Sequence, residues 1–118
     1  MIIHCMKKRS WEEAKNQDSW GQNDIDRYGF VHCSTAEYLW RVLPGFEDDP
    51  DERVLICIDE NKLLSEVKYE DHEDYPGRYY PHVYGLINND SVLMVLDYLI
   101  DKEGHYRKNP EFCDIPDE

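Results

Sequence analysis

The sequence predicts an α+β fold. Three observations carry that prediction. Segments of strand length, either alternating or continuously apolar, recur in about five or six places; both helix-start patterns fall near the amino terminus; and the later strand-like segments follow one another through short turns.

Residues 2–6 read as a strand, with Ile2, His4 and Met6 on one face under two-residue alternation. Ser10 stands three residues before Glu13, a capping-box spacing, so a helix with Trp11 and Ala14 on its apolar stripe is expected through about residue 17. A polar loop follows over residues 18–28. Residues 30–33 form the next strand, which stops at Ser34, where a second capping box with Glu37 opens a helix carrying Tyr38, Leu39, Val42 and Leu43. Pro44-Gly45 ends that helix.

Residues 54–59 are almost continuously apolar, as expected of a central strand buried on both faces. A short helical turn over 61–66 leads to a half-buried strand over 67–70, then to an acidic loop around Pro76-Gly77. Residues 80–86 resume an extended pattern, 88–90 form a turn, and 92–100 make a final strand, although an apolar run of that length also suits a helix. Residues 101–104 turn the chain as a hairpin would. Without repeats or a linker, the 118 residues are expected to form one domain, with an acidic carboxy-terminal tail from about residue 111.

Composition narrows the function classes. The 26 acidic against 13 basic residues give a formal charge of −13, which repels a phosphate backbone and argues against broad nucleic-acid binding. The acidic runs at 47–52, 70–74 and 114–118 are read as solvated loops. The longest apolar stretch, 91–100, is interrupted by Asp97 and is too short to span a bilayer, so no membrane association is expected. With no secretory pattern at the start, a cytoplasmic location is expected. The four cysteines form no C-x-x-C pair and are read as reduced, with Cys5, Cys33 and Cys57 acting as small core hydrophobes.

The candidate chemistry centres on three histidines in short apolar or aromatic runs: His4, His32 and His82. An ionisable ring in three strand-like segments needs either a hydrogen-bond partner in each place or one cleft that all three line. By alternation Phe30, His32 and Ser34 share a face, as do Tyr80, His82 and Tyr84. Glu70 is the neighbouring carboxylate. The dense basic run Lys7-Lys8-Arg9, directly before the expected Ser10 cap, is a candidate seat for a phosphate, with Arg27 and Arg78 as further cations. Neither G-x-G-x-x-G nor a Walker sequence is present. A metal site could draw on the three histidines and Glu70, but no tight ligand spacing points to one and no metal is expected.

The succession Ile3-His4, Trp11, Gly29-Phe30-Val31-His32-Cys33-Ser34, the Leu55-to-Asp59 strand with Leu63, Tyr69-Glu70 and Pro81-His82-Val83-Tyr84-Gly85 resembles the family known as domain of unknown function 952, over nearly the whole chain. That resemblance implies an ADP-ribosyltransferase-like fold, a split and mostly antiparallel sheet around a nicotinamide dinucleotide cleft, here with two amino-terminal helices. It implies NAD as the ligand, with His4 holding the adenosine ribose, His32 or Ser34 at the nicotinamide end, and Tyr84 or Tyr80 stacking on a ring. Glu70 would be the transfer carboxylate, with His82 or Tyr84 as its replacement. The RNA 2′-phosphotransferases resemble residues 29–34 through their Gly-His-Ser motif, but need a basic surface this chain lacks. Three functions follow: an ADP-ribosyl-transferring enzyme or nucleotide-binding domain, a non-enzymatic small-ligand or partner-binding module, and a histidine-cluster metal protein. The sequence names no protein partner.

Overall fold

The computed structural model describes residues 1–72 and 75–118. In chain order the elements are β1 (Ile2–Lys7), α1 (Lys8–Ala14), β2 (Ser19–Trp20), α2 (Gln22–Tyr28), β3 (Val31–His32), α3 (Leu39–Val42), β4 (Arg53–Ile58), β5 (Glu66–His72), β6 (Tyr75–Tyr84), β7 (Ile87–Asn88), β8 (Val92–Asp97), β9 (Leu99–Ile100) and β10 (Tyr106–Arg107). The fold is mixed, with antiparallel sheets and few helices. Two three-stranded sheets, ordered β1-β4-β8 and β3-β6-β5, are supplemented by the pairs β2-β7 and β9-β10. Among the described residues no helix is long and apolar enough to cross a membrane.

β4 is the central strand of the first sheet, and Val54 to Ile58 are all buried, as its continuous apolar run predicts. Alternation along β1 and β4 divides the interior in two. Ile2, Val54, Ile56 and Ile58 pack with Val31, Val83 and Ile87 on one face. Ile3, Leu55 and Cys57 pack with Leu39, Leu43 and Phe112 on the other. The two sheets meet where Ile3 and Ser34 exchange both backbone hydrogen bonds at 2.8 Å.

The expected loop over 18–28 is instead β2 followed by α2, which makes three α-helices rather than two. Left-handed glycines bracket α2, Gly21 (φ +113°) before it and Gly29 (φ +89°) after it. A Cβ on Gly21 would stand 2.9 Å from a methyl of Val31, so only glycine lets the helix start this close to β3. No residue of α2 is buried, and a helix without a buried stripe leaves no periodic signal in the sequence. Trp20 anchors the entry by donating from its indole N–H to Asn89 Oδ1 at 2.8 Å.

Both capping boxes are corrected. α1 begins at Lys8, directly off β1, with Lys7 at its N-cap and no side-chain cap; the Lys8 N–H donates to the Glu52 carbonyl instead. Ser34 spends its backbone on Ile3 and its hydroxyl on the Thr35 carbonyl, so it cannot cap. The helix expected after it is divided into a 3-10 turn (Ala36–Tyr38), the single turn of α3, and a second 3-10 turn (Leu43–Phe46) that carries Pro44 and Gly45 within it. Residues 92–100 are extended, which removes the helical alternative, but they are two strands rather than one. Tyr98 makes the break by donating its N–H to Arg53 and its hydroxyl to the Leu43 carbonyl.

The acidic runs do more than stay solvated. Glu70 and Asp71 lie within β5, and the Asp71 carboxylate accepts the N–H of Gly77 across the hairpin; the remainder of that run, residues 73–74, lies outside the described residues. Glu47 accepts the Tyr106 N–H, and Asp49 accepts from the Asp51 N–H and from the Arg53 guanidinium. The tail is fastened along the surface: Phe112 is wholly buried, the Glu118 N–H donates to the Glu37 carbonyl, and Arg41 donates to the Glu118 carbonyl. Lys108 donates to the Ile115 carbonyl and pairs with Asp117.

Truncating Phe112→Ala removes the apolar pin of that tail and is expected to lower the urea-unfolding free energy by ~3–5 kcal/mol. A loss under about 1 kcal/mol would show that the strap detaches without the core.

Candidate functional site

The bridge between the two sheets dictates the position of His4. One residue beyond Ile3, its ring lies 8% exposed, with Nδ1 2.6 Å from the backbone carbonyl of His32. A carbonyl only accepts, so Nδ1 carries the proton and Nε2 is the bare nitrogen of the neutral ring. Nε2 lies 3.7 Å from Oδ2 of Asp24 on α2, and the ring leans on Trp20 at 5.5 Å between centroids. Burial holds the imidazole below its ordinary pKa, against the smaller opposing pulls of the His32 carbonyl and Asp24.

Pairing of β3 with β6 sets His32 directly opposite His82, with their rings 5.4 Å apart. Phe30, two residues before His32 and on the same face, stacks on His82 at 4.0 Å and 14°. Tyr28 meets His32 edge-on at 4.9 Å, and Tyr84 stands 5.4 Å from Phe30. Five rings thus form one aromatic wall. Glu70 on β5 reaches it diagonally: Oε1 accepts from the Tyr84 hydroxyl at 2.5 Å and from His82 Nδ1 at 2.8 Å. Those two bonds hold the Glu70 carboxyl below the usual carboxylate range, and the same contact raises the Tyr84 phenol.

His4, His32, Ser34, Glu70 and His82 all line one open cleft of about 1670 Å³. That exceeds the roughly 300–1,000 Å³ of an ordinary small-molecule pocket. Among the described lining residues, five side chains are cationic and four are carboxylates, so the cleft escapes the net acidity of the chain. Tyr84 joins the wall through Glu70, whereas Ser34 faces the cleft with its hydroxyl turned to Thr35.

Arg9 stands apart. It is 73% exposed in its side chain, pairs with Asp51 at 3.3 Å, and does not line the cleft. Because α1 starts at Lys8, the basic run is not the approach to a Ser10-capped helix, and its charges are met by the 51–52 carboxylates. Among the described residues, no three His, Cys, Asp or Glu side chains are placed to share a metal ion. The cysteines are all free thiols. Burial pushes Cys5 and Cys57 up to about 11 and raises Cys33 as well, which leaves none of the three primed as a nucleophile.

Asp24, Trp20 and Tyr28 were beyond sequence reasoning, since all three sit in the segment read as a loop. The usable signal was the pair Gly21 and Gly29 framing a helix-length polar stretch.

The chain belongs to the protein family of unknown function DUF952, which it matches over residues 5–95. It is similar in structure to protein CC0527 from Caulobacter crescentus. The solution NMR structure of that protein is 22% identical, with 96% of this chain and 93% of that chain covered, at a TM-score of 0.72. Its crystal structure is 21% identical, with 90% and 92% covered, at a TM-score of 0.68. At that identity the likeness establishes the fold. No curated protein matches the chain.

His4 makes a pH prediction with a definite sign. Its folded pKa lies below the ordinary value, so between pH 6.5 and that folded value the unfolded chain binds the extra proton and stability is lost as the pH is lowered. The urea midpoint of the wild type should therefore drop on going from pH 7.5 towards 5.5, and His4→Asn should flatten that slope. An unchanged slope in the variant would show that another group controls this window.

Proposed function

We propose that the cleft binds a nucleotide, with NAD as the first candidate, in the manner of an ADP-ribosyltransferase-like domain. The observation that carries this reading is the backbone exchange between Ile3 and Ser34, which brings His4 from one sheet to the His32 carbonyl of the other, beside the aromatic wall that Glu70 ties together. A dinucleotide needs flat apolar surface for its rings, acceptors for ribose hydroxyls and a cation for its pyrophosphate. The wall of Phe30, His32 and His82 offers the first, and His4 Nε2 and Glu70 offer the second. Arg27, which lines the cleft with its guanidinium 5.3 Å over the Tyr28 ring, offers the third.

NAD as a substrate supplies a nicotinamide–ribose bond that breaks through an oxocarbenium-like state. The work left to the protein is orientation and charge. Glu70 is held ionised, and Oε1 takes both hydrogen bonds while Oε2 accepts none among the described residues. That second oxygen is the one suited to a ribose hydroxyl or to developing positive charge. His82 is a positioning residue here: its Nδ1–H fixes the carboxylate, and its face is stacked on Phe30.

A non-enzymatic ligand-binding module on the same fold is the second reading, favoured by the fact that Glu70 is engaged by Tyr84 and His82 before any ligand arrives. Titrating NAD into the wild type by calorimetry while following free nicotinamide separates the two. Saturable heat with slow nicotinamide release supports transfer chemistry, and Glu70→Gln should then cut release at least 100-fold while changing the dissociation constant less than about threefold. Heat without release leaves a binding module. The absence of both heat and nicotinamide release rejects the nucleotide reading.

A further inference from the structure

One sheet edge is unlike the others. In the β3-β6-β5 sheet, β3 is only two residues long, and β5 carries Glu66, Lys68, Glu70 and Asp71, charges of the kind that blunt an edge against pairing. In the β1-β4-β8 sheet, β1 is engaged by Ser34. The opposite edge, β8, begins with five apolar residues, Val92-Leu93-Met94-Val95-Leu96, in a chain of which 33% is charged. Leu93 and Val95 are 52% and 38% exposed.

The ladder shows which backbone groups of β8 are open. Tyr98 donates its N–H inwards to the Arg53 carbonyl, so Leu96 and Met94 hydrogen-bond inwards as well, and the alternating Val95 and Asp97 turn their amides and carbonyls away from β4. The Asn109 side-chain amide reaches the Asp97 carbonyl from that outer side and closes the edge there. At the other end the Val92 N–H returns to the Asn89 carbonyl in a 3-10 turn. Between these two points, among the described residues, 93–96 hydrogen-bond to nothing but β4. A register shift against the Cys57–Ile58 step leaves the alternation of exposed side chains intact.

We propose that β8 pairs antiparallel with β8 of a second copy of this chain, joining two three-stranded sheets into one of six strands. The two exposed side chains select the register. Their midpoint is Met94, and a two-fold axis there places Leu93 of each copy opposite Val95 of the other, and Val92 opposite Leu96. Each apolar side chain then meets an apolar one. Asp97 falls opposite Ser91, with the two Asp97 positions about 20 Å apart along the strands, well beyond a Debye length of about 8 Å. Moving the axis to Val95 would instead set Leu93 against Asp97. A partner of opposite charge finds no charged side chain over 92–96 to match, whereas a second copy matches the whole stretch. None of residues 92–97 lines the cleft, so the pairing does not depend on what the cleft binds.

A single strand pair buries little surface, so the dimer should be weak, with a dissociation constant in the micromolar range. Sedimentation equilibrium of the full chain from about 5 to about 500 μM should show a monomer–dimer equilibrium. Each copy carries a charge of −13, so the dimer should tighten about threefold or more between roughly 0.05 and 0.5 M NaCl as repulsion is screened. Exchange of the Val95 amide with deuterium should slow as the protein concentration rises. Val95→Lys and Leu93→Glu, both at exposed positions and checked for folding by circular dichroism, should each be monomeric, and an equimolar mixture should recover a heterodimer because the register sets the two new charges opposite each other. A wild type that stays monomeric at the highest concentration and salt overturns the proposal, as does a dimer that survives both substitutions. A mixture that fails to pair rejects the Met94-centred register and the proposal with it.

Discussion

Two backbone hydrogen bonds between Ile3 and Ser34 are the constraint on which the candidate site depends. Each three-stranded sheet has its own strand order, and neither contains both halves of the cleft. Joining β1 to the end of β3 places the buried His4 ring against the His32 carbonyl and sets the two faces of β1 over two separate cores. Ile2 and Ile3, both essentially inaccessible, hold that junction from opposite sides. Burial of this kind, at roughly 25 cal/mol per Å² of apolar surface, is what makes two hydrogen bonds a fixed joint rather than a transient contact.

The strong acidity of the chain is compatible with a compact fold because much of it is used as hydrogen-bond acceptor. Glu47 and Asp49 take backbone N–H groups as well as the His105 ring and the Arg53 guanidinium, and both carboxyls are held below their ordinary pKa by those bonds. Asp51 gathers Lys7 and Arg9 at the end of β1. Lys7 and Arg9 are thereby engaged by a carboxylate, while Arg27 lies over Tyr28 and Lys68 over Tyr84 at the aromatic wall.

The two buried or half-buried imidazoles are oriented alike. His4 gives its Nδ1 proton to a carbonyl and His82 gives its own to a carboxylate, so each turns Nε2 away from that partner. The first is fixed by backbone geometry and the second by a charged neighbour that itself has one oxygen to spare.

Alternation in β1, the continuous apolar run of β4 and the face-sharing of Phe30, His32 and Ser34 were legible in the residues alone, because side-chain direction in a strand is fixed by local geometry. So were the histidine blocks and Glu70 as the neighbouring carboxylate. The caps were misread because a serine hydroxyl answers to whatever competes for it, and for Ser34 the competitor was a strand thirty residues away. α2, and with it Asp24 and Tyr28, left no pattern because a seven-residue helix that sets only Ile25, partly buried, against the core has no apolar stripe to display. Residue types and strand faces are decided within a few residues of chain. Which faces meet, which protons are committed and which acceptors stay open are settled only by contacts between segments far apart in sequence.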